Sequence, residues 1–105
     1  VITHALFLSS LTSALLAAGA ASAEVDRTRL KNLLVQDCGS CHGLTLNGGL
    51  GRPLTREALE NFPVETVRDI ILDGLPGTPM PPWRPLLSVP EAAAIADMLK
   101  SGEIR

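Results

Sequence analysis

Cys38-Gly39-Ser40-Cys41-His42 gathers both cysteines of the chain and the only histidine beyond residue 23 into one pentapeptide. Leu30, Leu34, Cys38 and Cys41 follow one another at spacings of four, four and three, the period of one helix stripe, and Leu33 widens that face. The pattern predicts a first helix that ends in the pentapeptide. Its two thiols and its imidazole then stand at i, i+3 and i+4 on one face, so the chain must fold around whatever these three groups hold together.

Three uses of the pentapeptide fit poorly. A disulfide between cysteines three apart closes so short a loop that it constrains the chain little. A redox dithiol of the thioredoxin kind belongs to a βαβ context, which this pattern of helices and loops does not offer. Zinc needs four ligands, and there is no second Cys or His cluster to complete a site with Cys38, Cys41 and His42. C-x-x-C-H is the attachment sequence for a c-type haem, in which the two thiols bond the porphyrin edge and the imidazole reaches the iron.

The rest of the chain has room for such a group. Phe62 and Trp83 are the only aromatic residues in positions 24–105, and a domain of that size usually needs a disulfide, metal or cofactor to complete its core. Gly43, Gly48, Gly49, Gly51 and Pro53 predict a loop after the pentapeptide. Thr55 is placed to cap a helix over Arg56 to Asn61. A further helix follows Pro63 through Val64, Val67, Ile70, Ile71 and Leu72 and stops at Gly74. Five prolines between Gly74 and Pro85 force an extended, stiff loop. Ser88-Val89-Pro90-Glu91 is a capping box opening a last helix, with Ala92, Ile95, Ala96 and Leu99 inward and Gly102 beyond its end. No alternating run suggests a sheet, so the fold class is all-α, with three to five short helices.

Residues 1–23 carry no Asp, Glu, Lys or Arg, and Ala21-Ser22-Ala23 is a small-x-small cleavage site. The expectation is a secretory signal removed before Glu24, leaving residues 24–105 as a monohaem domain in the periplasm; an uncleaved membrane anchor is the alternative. His4 stands where a positive n-region belongs, and the missing charge is expected upstream of Val1. Nine Lys and Arg against eleven Asp and Glu provide no basic field for nucleic acid or an anionic membrane.

The helix ending in C-x-x-C-H, the Gly-rich loop closing on Arg52-Pro53-Leu54 and a later Met in a Pro-rich loop resemble the class I cytochromes c. The resemblance implies a small bundle of helices around one covalently bound haem, with the first and last helices crossing. It also implies a methionine as sixth ligand. Met80, in Pro79-Met80-Pro81-Pro82, is favoured over Met98, which lies inside the last helix where Met more often fills a core. The same comparison makes the Pro53 carbonyl the acceptor for the proximal imidazole and sets Trp83 against the porphyrin. Arg52 and Arg84 are candidate partners for its propionates.

More narrowly, Asp37-Cys38-Gly39-Ser40-Cys41-His42-Gly43-Leu44, Gly48-Gly49-Leu50-Gly51 and Gly77-Thr78-Pro79-Met80-Pro81-Pro82-Trp83 resemble the c-55X group, small cytochromes that accompany cytochrome cd1 nitrite reductase. That resemblance implies a monomeric periplasmic electron carrier serving nitrite reductase or a haem d1 maturation enzyme in denitrification. A general carrier and a haem d1 assembly factor are the alternatives. An enzyme would need an open iron position with a distal acid or base, and once the motif is used no Cys, His or Tyr remains beyond residue 23 to provide one.

Overall fold

The computed structural model describes residues 24–104; the expected signal segment and its cleavage site lie outside them. Four α-helices occur among these residues: α1 (Arg27–Leu33), α2 (Gly39–His42), α3 (Val64–Asp73) and α4 (Val89–Ser101). No strand occurs among the described residues, and none of their helices is long and apolar enough to cross a membrane.

The first helix departs from the expected simple stripe. Between α1 and α2 the backbone runs through a π-helical turn, Leu34–Cys38, in which the Gly39 N–H reaches back to the Leu34 carbonyl. A wider turn advances each residue by a smaller angle, so the positions after it lag those before it. Leu30 and Leu34 are fully buried, whereas Cys38 is half-buried and Cys41 exposed. The single stripe is thus broken, and the thiols face away from the leucines.

The segment expected as a helix over Arg56 to Asn61 is a run of turns. Thr55 does cap it, its Oγ1 accepting the Ala58 N–H at 3.2 Å. After one helical bond from Leu59 N–H to the Thr55 carbonyl, however, the bonds tighten to the i→i+3 kind. Lys100 of α4 explains the stop, because its ammonium donates to the carbonyls of Leu59 (2.8 Å), Glu60 (3.1 Å) and Phe62 (2.6 Å). Those acceptors are then engaged outside any helix.

The last helix begins as its sequence predicts. Ser88 Oγ accepts the Glu91 N–H, and Glu91 returns a carboxylate oxygen to the Ser88 N–H. Its end is set by Gly102 in the left-handed region, φ +70°. Ala92, Ile95, Ala96 and Leu99 are buried as expected, and Ala94 and Met98 join them. These residues share one core with Leu30 and Leu34 and with Val67, Ile71 and Leu72 of α3.

Ion pairs fix how α1 lies on α4. Arg29 pairs with Glu91 at the start of α4, while Arg27 and Lys31 both hold Glu103 just past its end, at 2.6 Å each. Arg27 and Lys31 share one flank of α1 and Arg29 lies on the other. The two acidic anchors are separated by the length of α4, about 18 Å at 1.5 Å per residue. The first helix therefore crosses the last one at a steep angle, as the family resemblance implied.

Candidate functional site

Two loops carry the candidate residues, and each is closed over the C-terminal end of a helix. The last carbonyls of a helix have no partner within it. At the end of α2, the Cys41 carbonyl accepts from Gly51 N–H (2.7 Å) and the His42 carbonyl from Gly48 N–H (2.8 Å). The loop after the pentapeptide is thus folded back on the helix that bears it. Leu46 holds the loop to the core, buried to 2 % exposure although its backbone is left-handed at φ +59°; burial of the side chain offsets a conformation that costs a leucine roughly 1–2 kcal/mol.

This return brings the backbone against the imidazole. The Arg52 carbonyl lies 2.6 Å from His42 Nδ1, so in the neutral ring Nδ1–H donates and Nε2 keeps its lone pair for a metal. The acceptor expected from the resemblance was the Pro53 carbonyl; the structure puts it one residue earlier. Pro53 has no N–H and a fixed φ, and it instead braces the turn from the other side by lying against Gly48. Gly51 permits the approach, because a Cβ on it would stand 2.7 Å from Nδ1 and 2.8 Å from Cε1.

Burial, then the Asp37 carboxylate, pushes the Cys38 thiol up to about 11. A redox-active Cys-x-x-Cys nucleophile shows the opposite shift. Cys38, Cys41 and His42 together offer two thiols and an imidazole with a committed tautomer. That donor set, with the glycine cradle beside the ring, fits a covalently attached haem with His42 as its proximal ligand.

The second loop carries Met80 and closes over α3. The Ile70 carbonyl takes the Gly74 N–H at 2.8 Å, and the Ile71 and Leu72 carbonyls take the N–H groups of Trp83 and Arg84, each at 3.1 Å. Within the loop, Thr78 Oγ1 donates to the Leu75 carbonyl (2.7 Å) and accepts the Met80 N–H (3.3 Å), and the Met80 carbonyl accepts the Leu75 N–H (3.3 Å). Gly74, at φ +69°, leaves room for this fold: a Cβ there would meet the Met80 carbonyl oxygen at 2.6 Å. The backbone of Met80 is thereby held at both polar groups. Its side chain is half-buried, whereas Met98 is fully buried in the core.

Trp83 is half-buried and packs on the core. Both arginines considered for propionates have partners within the chain. Arg52 lies over the Phe62 ring, 5.0 Å from its centroid, and Arg84 grips Asp73 with two bonds of 2.6 and 3.2 Å. The structure therefore unites Cys38, Cys41, His42 and the Arg52-Pro53 turn in one cluster, and places Met80 and Trp83 in a second, separately braced loop. The Arg52 carbonyl, Gly51 and Asp73 were not legible as site residues. Asp73 alone carried a signal, being an acid at a helix C-terminus.

A family model described as cytochrome c oxidase, cbb3-type, subunit III matches residues 25–99. Cytochrome c55X of Paracoccus denitrificans is 52% identical over 97 residues, spanning 90% of this chain and 94% of the relative. Cytochrome c55X of Pseudomonas aeruginosa is 50% identical over 106 positions, spanning 97% and 89%. The solved structure of the c-type cytochrome NirC superposes with a TM-score of 0.72 at 53% identity, over 73% of this chain and 91% of that one. Dihydro-haem d1 dehydrogenase NirN, solved in complex with DHE, superposes with a TM-score of 0.63 at 33% identity; the match takes in 67% of this chain but 15% of the dehydrogenase.

Proposed function

The chain belongs to the cytochrome c55X family of haem c electron carriers, and from that premise we propose a periplasmic one-haem carrier in which Cys38 and Cys41 form the thioether links and His42 and Met80 are the axial ligands. Residues 1–23 are its cleaved export signal and residues 24–105 its single domain. The observation that carries the reading is the 2.6 Å contact from His42 Nδ1 to the Arg52 carbonyl. It holds the proton on Nδ1, aims the ring, and reserves Nε2 for the iron.

When bound, the haem supplies a one-electron iron couple, and a thioether opposite an imidazole raises its potential. The chain's part is to keep both ligands in place in either oxidation state. For His42 this is done by the Arg52 carbonyl, and for Met80 by a loop whose four prolines from Pro76 to Pro82 lower the entropy lost on ordering it. Met98 is set aside as ligand by its full burial within α4.

The likeness to part of a dihydro-haem d1 dehydrogenase favours haem d1 maturation over direct service to nitrite reductase. A dehydrogenation releases two electrons and a one-haem carrier takes one. Two copies of this chain are therefore reduced per turnover, while the protons pass to solvent. A haem d1 assembly factor, the second reading, requires the chain to bind the tetrapyrrole itself.

Replacing Met80 by Ala tests the assignment. The variant should lose the thioether-to-iron charge-transfer band of the oxidised protein, fall in reduction potential, and bind carbon monoxide when reduced. Met98→Ala should keep the band while losing about 2 to 5 kcal/mol of stability. The opposite pattern in the two variants refutes the ligand choice, and rapid carbon monoxide binding by the wild type refutes the carrier.

A further inference from the structure

Asp73 is the last residue of α3, and no basic residue stands in the last turn of that helix. A carboxylate there meets the negative end of the helix dipole, an unfavourable position unless the charge is compensated. The compensation comes from Arg84, eleven residues on, whose Nε and Nη2 donate to Asp73 Oδ1 (2.6 Å) and Oδ2 (3.2 Å). Between the two lies the whole Met80 loop, and from Gly74 to Trp83 it contains no charged residue.

That loop has few means of holding itself shut. Pro76, Pro79, Pro81 and Pro82 lack an N–H, so its internal bonds are confined to Leu75, Thr78 and Met80. Its base is closed by the bonds from Trp83 and Arg84 N–H to the Ile71 and Leu72 carbonyls, with the Arg84 guanidinium on Asp73 beside them. We propose that the Arg84–Asp73 pair is the latch of the Met80 loop, and that both are positioning residues for the sixth ligand of the iron. The inference rests on Met80 being that ligand.

Both side chains are about half exposed, so the pair adds little to global stability. Opening the loop, however, breaks the pair every time. Its loss acts on the population with Met80 off the iron, and an exposed bidentate pair shifts such a population roughly two- to fivefold.

The measurement is cyanide binding to the oxidised holoprotein, whose rate follows the fraction of iron that Met80 has left, together with the pH at which the charge-transfer band disappears. Arg84→Gln should bind cyanide roughly two- to fivefold faster and lose the band at lower pH. The reversed pair, Asp73→Arg with Arg84→Asp, should restore wild-type behaviour, and Arg84→Lys, which has no fork, should restore part of it. A lowered melting temperature with an unchanged cyanide rate in Arg84→Gln would mean a merely structural pair and overturn the proposal, as would failure of the reversed pair to rescue. Should Met80→Ala keep the band, the ligand assignment itself has failed and the latch goes with it; if Met80→Ala loses the band, an unchanged Arg84→Gln counts against the latch alone.

Discussion

Gly51 has no room for even a methyl group beside His42, since its Cβ would lie 2.7 Å from Nδ1. In Gly51→Ala either the ring or the Arg52 carbonyl must move, and the hydrogen bond between them is lost. Overpacking of this kind costs about 1–3 kcal/mol. The lost bond also makes the imidazole a weaker donor to the iron, which destabilises the oxidised state, so the reduction potential should rise. Voltammetry and thermal melting check this, and a variant unchanged in both would show that the ring is not held by this contact. The three reactive residues of the pentapeptide were legible in the sequence because their identities are the chemistry. The Arg52 carbonyl was not, because a backbone acceptor has no identity in sequence and its choice over Pro53 depends on how the glycine lets the chain approach.

Helix α4 was legible from cap to stop because each signal is local: a Ser-x-x-Glu box, a Pro in the first turn, a Gly beyond the end. The turns over Arg56 to Asn61 were misjudged as helix because the deciding group, the Lys100 ammonium, comes from about forty residues away. The π-helical turn has no local signal either, and it makes a prediction at this scale. Deleting exposed Gln36 should let Leu34–Cys38 close as an ordinary α-turn, and one residue of helix is about 100° of rotation. Cys38, Cys41 and His42 would swing round relative to buried Leu30 and Leu34. Expressed with the attachment machinery, the deletion should give a sharply reduced yield of holoprotein by haem absorbance, whereas Gln36→Ala, which keeps the length, should match the wild type. Equal yields from deletion and substitution would mean that the turn has no part in aiming the thiols.

At the scale of the whole molecule the core is thin in a particular way. Ala92, Ala94 and Ala96 of α4 are buried, which lets α4 lie close to its neighbours but removes little apolar surface from water. Neither aromatic residue of the described chain is fully buried; Phe62 and Trp83 only pack against the cluster. The apolar burial left to Leu, Ile, Val and Met must then oppose the ordering entropy of the whole domain, a balance that comes out near zero for domains of this size without a staple. Covalent haem joined at Cys38 and Cys41 supplies the missing apolar mass at the end of the first helix. The variant with Cys38→Ala and Cys41→Ala, expressed alongside the attachment machinery, should show an intact mass without haem, a broad non-cooperative melt by circular dichroism, and rapid cleavage by protease under conditions in which the wild type resists it. A haem-free variant that melts sharply, close to the wild-type temperature, would show that the leucine and alanine core suffices by itself and that haem serves this chain for electron transfer alone.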